Sequence, residues 1–156
     1  MKIAGCIIIM IFSVMAGSGY ADREERKLTV LEELLFFVRK FESGIGKRLS
    51  FDDITAEYMM AKNPEYIKGD SAEELYKCLC TLCTVGICTA EAERCIFMID
   101  TARKSADARE IEKYCGEISA ELSEAFCRMR NDCRKRRGLY TKLGAAAGLL
   151  VCIAVI

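Results

Sequence analysis

The sequence predicts an all-α protein: an antiparallel helical bundle flanked by an N-terminal and a C-terminal transmembrane helix. Three observations predict this class. Apolar residues recur at steps of three and four along the charged middle of the chain, both ends are uncharged and apolar, and no stretch alternates with period two. We therefore expect a transmembrane segment at 1–21, a helical domain at 22–137 and a second transmembrane segment at 138–156.

Composition narrows the function classes before any motif is considered. The 23 lysines and arginines equal the 23 aspartates and glutamates, so no global field favours nucleic acid or a polyanionic substrate. The chain has no histidine, which excludes Ser-His and Cys-His nucleophile pairs and every histidine-containing metal site. We expect a protein that is not an enzyme and that uses no cofactor, nucleic acid or small-molecule substrate.

The N-terminal run Ile3–Tyr20 has no charged residue and reaches about 27 Å as a helix, close to the hydrocarbon thickness of a bilayer. A cleaved signal peptide is the alternative, with Lys2 as its basic start and Gly19-Tyr20-Ala21 as a small-x-small cleavage site. The run alone leaves both interpretations open.

The C-terminal run Leu143–Ile156 favours a retained anchor. It is uncharged and, with the residues just before it, reaches about 28 Å as a helix. Basic residues precede it, and such residues stay on the cytoplasmic side of a span, so both termini are expected on the far side and the middle domain in the cytoplasm. These topology anchors are Arg134, Lys135, Arg136, Arg137 and Lys142, preceded by Arg128 and Arg130.

Within this run, Gly144 and Gly148 form a G-x-x-x-G pattern, which lets a second helix approach closely. The pattern predicts a helix-packing site. Its partner could be the first span, another copy of the chain or another protein.

Between the two ends, the first amphipathic helix runs from Glu24 to Ile45, where Gly44 and Gly46 are predicted to end it. Ser50 with Asp53 predicts a capping box for a short second helix. Ser71 with Glu74 predicts another for a third helix that reaches about Val85.

Gly86 separates the third helix from a fourth, for which Thr89 is the predicted N-cap. Ser105 is the predicted cap of the last and longest helix, which we expect to run almost without a break into the C-terminal segment. Core packing explains the apolar stripes of all these helices.

Ten cysteines are the unusual feature of the composition. Cys78, Cys80, Cys83 and Cys88 could supply a four-thiolate metal site or redox chemistry. Yet most of this cluster lies inside the third helix beside Leu79 and other leucines, where cysteine acts as a small apolar filler. Structural thiols are the preferred interpretation, and no metal site is predicted.

Other polar patterns indicate solvated surface. Gly44-Ile45-Gly46-Lys47 lacks the Ser or Thr that a phosphate loop needs after its lysine, and a helix precedes it. The carboxylates of Glu32, Glu33, Glu73 and Glu74 lie among lysines and arginines, so we expect all four on polar helix faces.

Short motifs occur at the end of the first helix and in the C-terminal tail. The first helix has Glu42 and Ile45, and the tail has Lys142, Leu143, Gly144 and Gly148. With these motifs, the layout of the whole chain resembles the stage III sporulation protein AB family of endospore-forming bacteria, which has an L-E-x-E-I-like segment in its first helix and a K-x-L-G-x-x-x-G pattern in its tail.

The resemblance implies a non-enzymatic platform component of the channel between mother cell and forespore. The family's domain is similar to the cytoplasmic domain of the type II secretion inner-membrane platform protein. Expected partners are the membrane, the sporulation AA ATPase and other channel proteins. The expected location is the mother-cell membrane around the forespore, crossed twice, with the central domain cytoplasmic.

Two other functions compete with this one. The first is a membrane-tethered metal or redox protein that works through its cysteines. The second is a secreted, tail-anchored protein whose first segment is cleaved and whose cysteines pair.

Overall fold

A computed structural model describes residues 2–69, 71–104 and 108–155, and this part of the chain is all-helical, without a strand. The predicted all-α class is confirmed. Five helices follow one another along the chain: α1 Lys2–Gly46, α2 Phe51–Lys62, α3 Ala72–Val85, α4 Thr89–Lys104 and α5 Ala108–Val155.

The chain forms two compact units. The terminal unit combines Met1–Arg26 with Arg128–Ile156, and the middle unit is Lys27–Cys127. Both α1 and α5 contribute to each unit, because neither helix is interrupted where one unit gives way to the other. The predicted segment boundaries at 21 and 137 stay predictions.

Local sequence signals set the ends of α2 and α3. Ser50 accepts the N–H of Asp53, while the Asp53 carboxylate accepts the N–H of Ser50, so the predicted capping box is present. Ser71 accepts the N–H of Glu74 at the start of α3. Gly86 ends α3 at φ 73°, a left-handed conformation that costs glycine little.

The predicted N-cap of α4 is wrong by one residue. Thr89 is already helical, and the carbonyl of Cys88 accepts the first intrahelical bond, from the N–H of Ala92. Cys88 has φ 49°, and its thiol donates to the carbonyl of Lys27 on α1 at 3.5 Å. A positive φ of this size is rare for a residue other than glycine, and at Cys88 it occurs together with this thiol contact to α1. Ser105, the predicted cap of α5, lies outside the described residues.

The middle unit encloses one apolar core. Its largest fully buried side chains come from all five helices and from the segment between α2 and α3. Aromatic rings fill its centre, where Phe37 meets Phe41 at 5.9 Å and Tyr58 at 5.5 Å between ring centroids. Other fully buried members are Leu31, Leu34, Ile67, Leu75, Leu79, Met98, Ile99 and Leu122.

In the terminal unit, by contrast, large apolar side chains face outward. Phe12, Leu150 and Ile153 are each 68% exposed. Among residues 2–69, 71–104 and 108–155, no helix is both long enough and apolar enough to be a candidate membrane span.

Candidate functional site

A buried carboxylate holds the segment that joins α2 to α3. Glu33 on α1 is 2% exposed and accepts three backbone N–H groups: Glu65 at 2.7 Å, Tyr66 at 3.0 Å and Ile67 at 2.9 Å. Three charge-assisted bonds to one carboxylate compensate the cost of burying it. Glu33 therefore fixes the path of a segment that has no helix of its own.

The prediction that Glu33 lies on a solvated face is wrong. Apolar residues flank it on both sides of the helix, at Val30, Leu34 and Phe37 as well as at Leu31 and Leu35, so more than one face of α1 is buried. The sequence itself indicates burial at this position. A residue in the middle of such a wide apolar arc is expected to face the core rather than solvent. Glu32, Glu73 and Glu74 are exposed, as predicted.

Tyr58 lies near Glu33, and its hydroxyl has no hydrogen-bond partner in the described part of the chain. The residue is fully buried, and its hydroxyl is the one described buried side-chain oxygen or nitrogen that lacks a hydrogen-bond partner. Burial raises the pKa of this hydroxyl above its ordinary value, and the charge of Glu33 raises it further. Tyr58 acts as a core ring with an unpaired polar atom.

A cavity of about 260 Å³, partly open to solvent, lies in the middle unit where α1 and α4 end and α2 and α5 begin. Eight of the nine residues that line it are apolar, and the ninth is Arg103. They are Phe41 and Ile45 of α1, Leu49 of the segment before α2, Phe51 and Ile54 of α2, Ile99, Ala102 and Arg103 of α4, and Ile111 of α5.

Arg103 is held at this cavity by two aromatic rings. Its guanidinium lies 5.7 Å from the centroid of Phe51 and 5.4 Å from that of Tyr76. The Tyr76 hydroxyl donates to Asp100 at 3.3 Å. A planar cation that contacts two rings has less side-chain freedom to lose when it binds a carboxylate.

Three cysteines of the middle unit, Cys78, Cys83 and Cys88, contact backbone carbonyls through their thiols. Cys78 donates to Tyr66 O at 3.1 Å, and Cys83 lies 3.9 Å from Thr89 O. All the described cysteines are free thiols. Within the described part of the chain, no group of three or more cysteines, aspartates and glutamates could hold a metal ion.

Burial also opposes thiolate chemistry at several of these cysteines. It raises the pKa of Cys115 to about 12, helped by the charge of Glu42. Burial is likewise the main cause of the raised pKa of the Cys83 and Cys95 thiols. Thiolates are the nucleophiles and metal ligands, so these three thiols suit packing better than redox or metal chemistry.

The predicted topology anchors lie on the α5 part of the terminal unit. Four of them are exposed: Arg134, Lys135, Arg136 and Lys142. The side chain of Arg137 is not among those that the structure describes. Cys133 lies within this basic stretch, and its thiol is 3.8 Å from the carbonyl of Glu24 on α1. The basic stretch of α5 is therefore alongside the end of the N-terminal part of α1.

Gly144 and Gly148, the predicted helix-packing residues, face that same helix. A Cβ atom on Gly144 would come within 2.7 Å of Ser13 O, and one on Gly148 would collide with Ser13 Oγ and approach Met10 Cα to 3.3 Å. The Ser13 hydroxyl donates to Met10 O at 3.0 Å. Of the three partners left open by the sequence, the first apolar segment is the one that lies against these glycines.

No protein-family model, curated protein or solved structure matches this chain.

Proposed function

We propose that the chain is a non-enzymatic platform that holds a partner protein at a membrane. One observation carries the proposal: α1 and α5 each join an uncharged apolar run to residues of the middle core without an intervening loop. Anchoring the outer ends of these two helices would tether the middle unit twice. A double tether of this kind suits a protein that presents a docking surface.

Membrane attachment is supported by the sequence of the two ends. Ile3–Tyr20 has no charge, Leu143–Ile156 has none, and the basic residues cluster next to the second run. The exposure of Phe12, Leu150 and Ile153 agrees with an apolar environment. On this proposal the chain crosses the mother-cell membrane around the forespore twice, and the middle unit is cytoplasmic.

The partner follows from the resemblance to the stage III sporulation protein AB family. We assign the chain to the channel apparatus between mother cell and forespore, with the sporulation AA ATPase as its docking partner. The middle unit supports a docking role through its partly open apolar cavity beside a stacked arginine.

The test is a titration of the AA ATPase from the same organism against the full-length chain in micelles of a non-ionic detergent. Circular dichroism first establishes that the chain is helical. Saturable binding is expected, together with loss of binding after the chain has been unfolded. A helical chain that does not bind the ATPase would contradict the platform role in sporulation.

A further inference from the structure

Two contacts fix the register of α1 and α5 in the terminal unit. The Cys133 thiol of α5 lies 3.8 Å from the carbonyl of Glu24, and a Cβ atom on Gly144 would come within 2.7 Å of the carbonyl oxygen of Ser13. Gly144 follows Cys133 by eleven residues, and Ser13 precedes Glu24 by eleven residues. The two helices therefore run antiparallel in one constant register between these contacts.

This register brings the charged ends of the two apolar runs to the same height along the helix axes. The uncharged run of α1 ends before Asp22, which the register places level with Lys135 of α5. The basic stretch of α5 ends at Arg137, two residues further along, or about 3 Å at the helical rise. Lys142 lies beyond this height, but its long aliphatic stem can carry the ammonium group back towards it.

The charge at this height is positive after every acidic residue of both helices is counted. The α5 stretch 128–142 has seven basic residues and one acidic residue, and the α1 stretch 22–26 has two basic and three acidic residues. Burial raises the pKa of the Cys133 thiol, and the charges of Glu24, Asp132 and Glu25 raise it further. These three carboxylates therefore lie near the contact between α1 and α5, and nine basic residues exceed the four acidic ones.

The basic residues of α5 surround the helix on the sides that α1 leaves open. Successive residues of an α-helix lie about 100° apart around its axis, so Arg134, Lys135 and Arg136 lie about 100°, 200° and 300° from Cys133, which contacts α1. All three are exposed. A protein partner would meet one side of a helix, whereas a layer of lipid headgroups surrounds any helix that passes through it. The distribution of charge therefore fits a lipid surface better than a protein partner.

We propose that the basic residues from Arg130 to Lys142 bind the phosphate groups of anionic phospholipids, at the height where the apolar runs of α1 and α5 begin. The inference rests on the proposed function and specifies the class of lipid around the terminal unit. Arginine and lysine form charge-assisted hydrogen bonds with phosphate oxygens. Each basic residue near an anionic membrane surface strengthens the attraction about fivefold.

Photo-cross-linking in vesicles tests the preference for an anionic headgroup. The full-length chain is reconstituted into vesicles of equal amounts of phosphatidylglycerol and phosphatidylcholine with the same acyl chains. A trace of lipid with a photoreactive group near the start of one acyl chain is added, as phosphatidylglycerol in one sample and as phosphatidylcholine in the other. Mass spectrometry of the chain then measures the yield of each cross-linked lipid.

We expect about fivefold more cross-linking to the terminal unit by the phosphatidylglycerol probe than by the phosphatidylcholine probe. The preference should fall as the salt concentration rises, because salt screens exposed charges. Equal yields from the two probes, or a preference that does not respond to salt, would overturn the proposal.

A triple substitution tests the residues that carry the preference. Arg134→Gln/Lys135→Gln/Arg136→Gln removes three exposed charges and introduces a good helix former at each position, so circular dichroism should stay unchanged. The preference of this variant for phosphatidylglycerol should fall below about twofold. A preference equal to that of the wild type would contradict the assignment to these residues.

The matched control is Lys47→Gln/Lys68→Gln/Lys104→Gln. It removes the same charge from exposed positions of the middle unit and should keep the full preference. The same preference in the two variants, whether it is retained or lost, would show that the basic stretch of α5 does not determine it.

Inorganic phosphate distinguishes a lipid surface from a site for free anions. Phosphate that replaces chloride at constant ionic strength should leave the preference unchanged, because the headgroups are held next to the helix at high local concentration. Loss of the preference in phosphate would assign the basic residues to a free anion and overturn the lipid assignment.

The total yield of cross-links distinguishes failure of this inference from failure of the proposed function. Equal cross-linking of the terminal unit by both probes would overturn the headgroup preference and leave the membrane platform intact. Absence of cross-links from the terminal unit with both probes would contradict membrane attachment itself, and the inference would fail with it.

Discussion

The two units of this chain use the same apolar residue types in opposite ways. In the middle unit, apolar side chains from Val30 to Leu122 form an enclosed core, while in the terminal unit most of the described large apolar side chains are exposed. The two units also differ in net charge. The terminal unit has 10 basic and 4 acidic residues, so it is positive, whereas the middle unit has 13 basic and 19 acidic residues and is negative.

The two units therefore differ in the burial that can stabilise them. A buried core stabilises the middle unit through its own contacts. In the described part of the terminal unit, large apolar side chains are exposed, and the proposed function places them in an apolar environment.

Loss of the Glu33 carboxylate should damage the middle unit most. Glu33→Ala leaves three backbone N–H groups without their acceptor, and we expect a loss of about 3–5 kcal/mol in the free energy of unfolding. Glu32→Ala, at the adjacent exposed position, removes an ion pair with Lys62 and should cost less than about 1 kcal/mol. Urea unfolding of the full-length chain, followed by circular dichroism, measures both. Equal losses for the two variants would show that Glu33 is not the anchor.

Alkaline pH should weaken the middle unit through its buried thiols. Burial in the folded state raises the pKa of Cys115 from 9.0 to about 12. The protonated thiol therefore contributes its full stabilisation of the folded state below about pH 9, and this stabilisation is lost as the pH rises towards 12. Between pH 8 and pH 10 the expected loss is about 1.4 kcal/mol for this thiol.

Cys95, whose pKa is raised in the same direction, should add a loss of similar size. The variant Cys95→Ala/Cys115→Ala should lack this part of the pH dependence. Identical pH profiles for the variant and the wild type would refute the explanation.

Removal of the Tyr58 hydroxyl should stabilise the middle unit. Tyr58→Phe keeps the ring contacts and removes a buried polar atom that has no partner, so we expect a gain of about 1 kcal/mol. Tyr76→Phe is the matched control, because it removes a hydroxyl that does donate to Asp100 and should cost about 0.5–1 kcal/mol. A clear loss of stability in Tyr58→Phe would mean that its hydroxyl has a partner in solution.

A bulky residue at the helix contact of the terminal unit should leave the middle unit almost unchanged. Gly144→Leu collides with the backbone at Ser13, but none of the core residues of the middle unit lies there. We expect a change of less than about 0.5 kcal/mol in urea unfolding of the middle unit. Ala146→Leu, at an exposed position of the same helix, is the control. A loss as large as that of Glu33→Ala would show that the two units unfold together.

Local signals in the sequence were sufficient for the helices and their ends. The ends of α2 and α3 depend on contacts between residues a few positions apart in the chain, at Ser50, Ser71 and Gly86. Such local contacts can be predicted from the sequence without knowledge of the tertiary structure. Cys88 was missed as the start of α4, because its left-handed conformation accompanies a bond to Lys27, which is distant in sequence.

The cavity and the role of Glu33 could not be predicted from local sequence patterns. The cavity is lined by four helices and the segment before α2, so only the packed core brings Ile45, Ile99 and Ile111 together. The acceptor role of Glu33 also depends on a segment more than thirty residues away. The G-x-x-x-G pattern predicted close packing, but the choice among its three partners required the position of Ser13.

The proposed function requires that the exposed apolar surface of the terminal unit contacts lipid and that the middle unit does not. The full-length chain is reconstituted into phospholipid vesicles that contain a lipid with a photoreactive acyl chain, and cross-linked residues are mapped by mass spectrometry. The account predicts cross-links within residues 3–20 and 143–156 and none within the middle unit. Cross-links spread evenly over both units, or absent from the two end runs, would contradict it.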